Sequence, residues 1–159
     1  MRLTRYTDYA IRVLLYLARP TEQLCSIAEI ARAYDISQNH LMKVVSDLVN
    51  AGYLESVRGR YGGIRLARPA AQINIGALIR HTEGDLDLVG CDTCVVAPAC
   101  GLTGMLAEAL AAFLAVLDGY SLHDLMAQRR SVAMLLGIND APSRPRPGSG
   151  RAPAGAPAG

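Results

Sequence analysis

The stretch SIAEIARAYDISQNHLMKVVSDLVN, residues 26–50, decides how this chain folds. Ser26, with Glu29 three residues on, reads as a capping box. Behind it Ile27, Ile30 and Ala31 share one face of a short helix over 27–34. Asp35 follows, and aspartate tolerates the left-handed backbone of a tight turn better than most residues. Ser37 is a second cap, opening a longer helix over 38–50 with Leu41, Val44, Val45 and Leu48 inward. Helix, tight turn and helix make a DNA-reading motif, whose second helix puts its N-terminal half into the major groove. Gln38, Asn39, His40 and Lys43 stand at that end. Gln and Asn pair with adenine, while His and Lys reach guanine or phosphate.

Working outward, Thr4 caps an upstream helix in which Tyr6, Ala10, Val13, Leu14 and Leu17 recur at helical spacing until Pro20 stops the run. Downstream, Ala51-Gly52 ends the reading helix. Tyr53–Val57 and Ile64–Ala67 then form a hairpin around Arg58-Gly59-Arg60-Tyr61-Gly62-Gly63. This is a wing. Its Arg58, Arg60, Arg65 and Tyr61 suit phosphates or a minor groove, since the glycines let the backbone approach closely. Pro69 breaks away from the hairpin, and Ile73–Thr82 reads as a helix with Asn74 as its cap.

Charge follows the same division. Residues 1–80 carry a net charge of +5 and residues 81–140 one of −6, although the whole chain sums to +2. The basic half faces an anion. Apolar residues make up 51% of the 159 but aromatics only 5%, so the core is aliphatic, which favours helices. No basic-then-apolar signal segment opens the chain, and no apolar stretch is long enough to span a bilayer. The expectation is a cytoplasmic protein with no membrane partner.

Gly84–Gly101 is irregular and holds three of the four cysteines, as Cys91-x2-Cys94-x5-Cys100. A loop that long needs an organiser. Three soft thiolates on a Gly- and Pro-containing loop suit a metal centre, without saying which metal. Zinc is the rival, but it asks for four Cys or His ligands, and His81 lies ten residues upstream without finger spacing. Cys25 stands far from the others and reads as a small packed residue. Leu102–Leu117 is a long helix with apolar residues on more than one face, as expected of a helix buried against a second subunit. Ser121 and Asp124 cap a short final helix, and Val132–Ile138 reads as a stretch packing back on the domain. From Ala141 to Gly159 only Ala, Pro, Gly, Ser and Arg occur, the composition of a disordered tail.

Several of these stretches are familiar together. Met1-Arg2-Leu3-Thr4 with Tyr9-Ala10, Ile27-Ala28-Glu29-Ile30-Ala31, the wing from Arg58 to Ala70 and the three-cysteine loop resemble the Rrf2 family of bacterial iron–sulfur regulators over Met1–Ile138. The resemblance implies a homodimeric transcriptional repressor with an iron–sulfur cluster, of 4Fe-4S or 2Fe-2S type, on Cys91, Cys94 and Cys100. Tyr6-Thr7-Asp8-Tyr9, Asn39-His40-Leu41-Met42-Lys43 and Ala97-Pro98-Ala99-Cys100 resemble the nitric-oxide-sensing branch. In that branch an aspartate of the first helix reaches the cluster of the other subunit, and Asp8 occupies its position. Another branch has a histidine three residues after the last cysteine, where this chain has Thr103.

The expected fold is mainly α with a small β wing, a winged helix-turn-helix followed by a long dimerisation helix. Its parts are a DNA-binding domain over 1–82, a cluster loop over 83–101, a dimerisation and packing segment over 102–140, and a tail over 141–159. The expected function is release of operator DNA when nitric oxide reacts with the cluster. The alternatives are a response to iron or cluster availability on the same fold, and a zinc-binding interaction module. No nucleophile–base pair or phosphate loop accompanies the cysteines, so no enzyme is expected.

Overall fold

The computed structural model describes residues 2–19, 23–91 and 93–126. Helix α1 (Arg5–Leu17) starts at Thr4, whose side chain accepts a hydrogen bond from the Thr7 N–H. Its Thr7, Ala10, Val13, Leu14 and Leu17 are buried, and this face forms one wall of the core. Pro20, expected to end the helix, lies outside the described residues.

Helix α2 (Ile27–Tyr34) is capped by Ser26, whose hydroxyl accepts from the Glu29 N–H at 3.2 Å. Only this half of the expected capping box forms. The Glu29 carboxylate instead accepts from the Tyr16 hydroxyl at 2.8 Å and pairs with Arg19 at 3.5 Å, so it ties α2 to α1. Asp35 makes the turn at φ 53 and ψ 48. Helix α3 (Gln38–Asn50) then buries Leu41, Val44, Val45 and Leu48. Ser37 stands at its N-cap but its side chain makes no capping hydrogen bond, and the backbone alone starts the helix.

Gly52, at φ 73, ends α3 in a Schellman motif: its N–H bonds to the Val49 carbonyl and the Tyr53 N–H to that of Leu48. Strands β1 (Leu54–Val57) and β2 (Gly63–Leu66) pair antiparallel, with Leu54 opposite Leu66 and Glu55 opposite Arg65. A contact invisible in the sequence pattern extends this wing. Cys25 exchanges both backbone hydrogen bonds with Ile64, at 3.1 and 2.9 Å, and so adds a one-residue edge beside β2.

Helix α4 (Ile75–Glu83) begins two residues later than its apolar pattern predicts. Ile73 is fully buried yet extended, because its carbonyl accepts the Leu122 N–H at 2.8 Å; Asn74 then caps the helix through the Ala77 N–H. Helix α5 (Leu102–Asp118) docks on α4. There the Arg80 guanidinium clasps both oxygens of Asp118 at 2.6 and 2.7 Å and holds that carboxyl below its ordinary range. No room is left at Gly76, where an added Cβ would stand 2.0 Å from the Asp118 carboxylate. Helix α6 (Leu122–Leu125), closed by a reciprocal Ser121–Asp124 capping box, returns Leu122 and Met126 to the common core. The stretch Val132–Ile138 and the tail lie outside the described residues. No helix among the described residues is long and apolar enough to cross a membrane.

Candidate nucleic-acid interface and metal centre

Burying Leu41, Val44 and Val45 turns the opposite side of α3 outward, and Gln38, Asn39, His40 and Lys43 are all exposed at its N-terminal end. The wing carries the second group. Tyr61 is 86% exposed at the tip, with the Arg60 guanidinium 5.9 Å from its ring centre, and Arg58 is exposed beside them. The tip owes its shape to two glycines. Gly59 sits at φ 115, and a Cβ on Gly62 would come within 2.2 Å of the Val57 carbonyl oxygen. Arg65 differs from its neighbours, since its guanidinium is paired across the strands with Glu55. Arg68, not among the expected contacts, lies 5.0 Å over the Tyr53 ring and donates twice to the Gly52 carbonyl, fastening the wing to the end of α3.

Gly84, at φ 66, turns the chain out of α4 into the cysteine loop. The loop advances by turns of three residues: Cys94 N–H bonds to the Cys91 carbonyl, Ala97 N–H to that of Cys94, and Cys100 N–H to that of Ala97. All three thiols are free; Cys94 is exposed, and Cys91 and Cys100 are half-buried. Cys91 Sγ lies 3.4 Å from the Thr103 hydroxyl. As unpaired soft donors they fit an iron–sulfur cluster in kind. Among the described residues, however, no three His, Cys, Asp or Glu side chains are gathered into a metal-holding group.

Asp8 is half-buried on α1 and already has a partner. Both its oxygens face Arg12, at 3.0 Å from Nε and 2.9 Å from Nη2, and that guanidinium also lies 5.7 Å from the Tyr34 ring centre on α2. His81, the one nearby candidate for a zinc ligand, is occupied too, its Nε2 standing 2.9 Å from Asp47 Oδ2. Cys25 is 3% exposed, with Arg19 Nη2 at 3.0 Å, and its burial pushes the thiol pKa up, which suits packing and not ligation.

An exposed polar helix end beside a basic wing, both carried on one helical core, defines a winged-helix DNA-binding transcriptional regulator. Solved structures agree. CymR of B. subtilis, described as the global cysteine regulator, superposes with a TM-score of 0.64 at 29% identity, covering 80% of this chain and 98% of CymR. IscR of T. potens superposes at 0.67 with 25% identity, covering 83% and 90%. Residues 3–128 match the Rrf2 family, whose description is iron-dependent transcriptional regulator, and the chain belongs to that family. The HTH-type transcriptional regulator NsrR of Bacillus subtilis is 49% identical over 147 residues, 88% of this chain and all of that protein. NsrR of Geobacillus kaustophilus is 51% identical over 142 residues, 86% of this chain and 97% of that one. These relatives and neighbours are transcriptional regulators, not enzymes.

Proposed function

We propose that the protein is a homodimeric repressor that holds operator DNA through α3 and the wing, and lets go when nitric oxide reaches an iron–sulfur cluster on Cys91, Cys94 and Cys100. The observation that carries this reading is the three free thiols on the one loop joining α4, which packs on the reading domain, to α5. Likeness to NsrR proteins at 45–51% identity supports nitric oxide as the signal. When bound, the cluster supplies iron that reacts with the gas. The chain's own residues do the rest. Gln38, Asn39, His40 and Lys43 read bases, Arg58, Arg60 and Tyr61 hold backbone, and Arg65 adds charge tempered by Glu55. Asp8 is a hard, exchangeable fourth ligand from the other subunit once it leaves Arg12.

The test is anaerobic purification followed by nitric oxide titration, with absorption and DNA binding read on one sample. A brown or red protein that releases its DNA as the colour changes is the expected result. A colourless protein that carries zinc and ignores the gas would replace this reading with the zinc module. The description of the family as iron-dependent and the likeness to IscR favour a second reading, in which iron or cluster supply is the signal. Iron starvation that relieves repression without nitric oxide would establish it.

A further inference from the structure

Helix α4 is the last element before the cysteine loop, and its final turn touches both sides of the reading domain. Glu83 Oε1 accepts from the Thr4 N–H at 2.8 Å and from the Thr4 hydroxyl at 3.1 Å, and the Thr7 hydroxyl donates to that of Thr82 at 2.8 Å. These contacts clasp α4 to the start of α1. Toward α3 the polar contact is sparser. The polar link is His81 Nε2 to Asp47 Oδ2 at 2.9 Å, and because a carboxylate only accepts, the hydrogen lies on Nε2. Asp47 also receives the Tyr6 hydroxyl from α1, while the His81 ring lies 5.9 Å from that of Tyr53, tilted by 47°.

Asp47 is on the helix that carries Gln38, Asn39, His40 and Lys43, one turn beyond Lys43. His81 is three residues before Gly84, where the chain leaves for the cysteines. A half-exposed side-chain contact of this kind contributes little to stability, so its position matters more than its strength. Resting on the proposed cluster-controlled repression, we infer that His81 is the positioning residue through which the state of the cysteine loop is transmitted to α3. With the loop ordered, His81 holds Asp47 and with it the orientation of the reading helix. With the loop released, α4's last turn shifts, the bond opens, and α3 loses its polar tie to α4 while keeping the Tyr6 hydroxyl and its apolar packing on α1 and α2. Two arrangements of one contact are what coupling between distant sites requires.

His81→Phe tests this. It keeps a ring beside Tyr53 and removes the donor, and Asp47 retains the Tyr6 hydroxyl, so no carboxylate is stranded. The measurement is the affinity of the cluster-loaded and iron-stripped full-length protein for a duplex selected from random sequence on the wild-type protein. Couplings of this type run to about 5–150-fold. The wild-type loaded-to-stripped ratio is expected in that range, and the His81→Phe ratio within about twofold of one, with dimer mass and cluster absorption unchanged. His81→Gln, which restores an N–H donor, is expected to recover most of the ratio. A His81→Phe ratio equal to wild type, even if both affinities fall together, would show a merely structural contact and overturn the inference while leaving cluster-controlled binding intact. A wild-type ratio of one would overturn cluster control itself, and the inference with it. Should His81→Phe not fold, Asp47→Ala breaks the same bond from the other side and is read in the same way.

Discussion

Asp8 and Arg12, four residues apart on α1, form a two-point ion pair that any helix allows at this spacing, and with both side chains 40–50% exposed it is a weak one. A weak partner is easily given up, so the proposed exchange of Asp8 from Arg12 to a metal would cost little. Asp8→Ala is expected to assemble a cluster on the three thiolates, with shifted absorption and altered nitric oxide kinetics. The trans assignment is checked in a heterodimer of one Asp8→Ala subunit with intact cysteines and one subunit keeping Asp8 but with all three cysteines changed to Ser. Its single cluster should look wild-type. A wild-type spectrum in the Asp8→Ala homodimer would remove Asp8 from the site, and a mutant-like heterodimer would place it in its own subunit.

At the scale of elements, the proposed recognition divides between α3 and the wing by their chemistry. Gln38 can make a bidentate pair with one base, whereas Arg60 at a glycine-shaped tip offers charge beside the exposed Tyr61 ring. Gln38→Ala is therefore expected to discriminate among operator variants by about 1–3 kcal/mol, and Arg60→Ala to weaken every sequence about equally and flatten the salt dependence by about one phosphate's share. Binding assays on a panel of single-base variants at two salt concentrations separate the two. Identical profiles for both substitutions would undo the division. The same element scale explains why the wing was only partly legible. Its strands and turn follow from alternation and glycine, but the pairing of Glu55 with Arg65 depends on the register, and the edge added by Cys25 has no periodicity to read.

For the whole molecule, proton linkage gives a stability signature. Burial, followed by the hydrogen bond to Asp47, raises the Tyr6 pKa from 10.0 to about 12. The unfolded chain thus loses this proton first. The folded state holds more protons above pH 10, so the stabilisation is complete below that pH and is lost as pH rises toward 12. Thermal melts should show stability falling over that window, with a shallower fall in Tyr6→Phe; an unchanged slope would mean that Tyr6 does not report the α1–α3 contact. Helix α5 makes the other molecular statement. None of its residues is buried, and Met105 and Val116 are each 63% exposed although Leu114 and Leu117 rest on the core. Apolar faces of that kind fit the proposed dimer, in which a second copy would cover them. Met105→Arg with Val116→Arg is expected to yield a monomer by light scattering with the reading domain still folded; a dimer of unchanged stability would assign those faces elsewhere.

What the sequence determined by itself is what local rules govern. Helical periodicity, the caps at Thr4, Ser26, Asn74 and Ser121, the left-handed Asp35 and the glycine at the end of α3 are each set within a few residues, and they place the reading helix and the wing. The spacing of the three cysteines sets them on one loop, but among the described residues the fold does not gather them into a metal-holding group. Tertiary structure alone decided which groups distant in sequence met. Glu29 left its capping box for Tyr16, the Ile73 carbonyl left its helix for the Leu122 N–H, and Asp47 joined His81 across 34 positions of sequence. Such choices are made between groups brought together by the core, and their small energies are settled by proximity, which no spacing along the chain expresses.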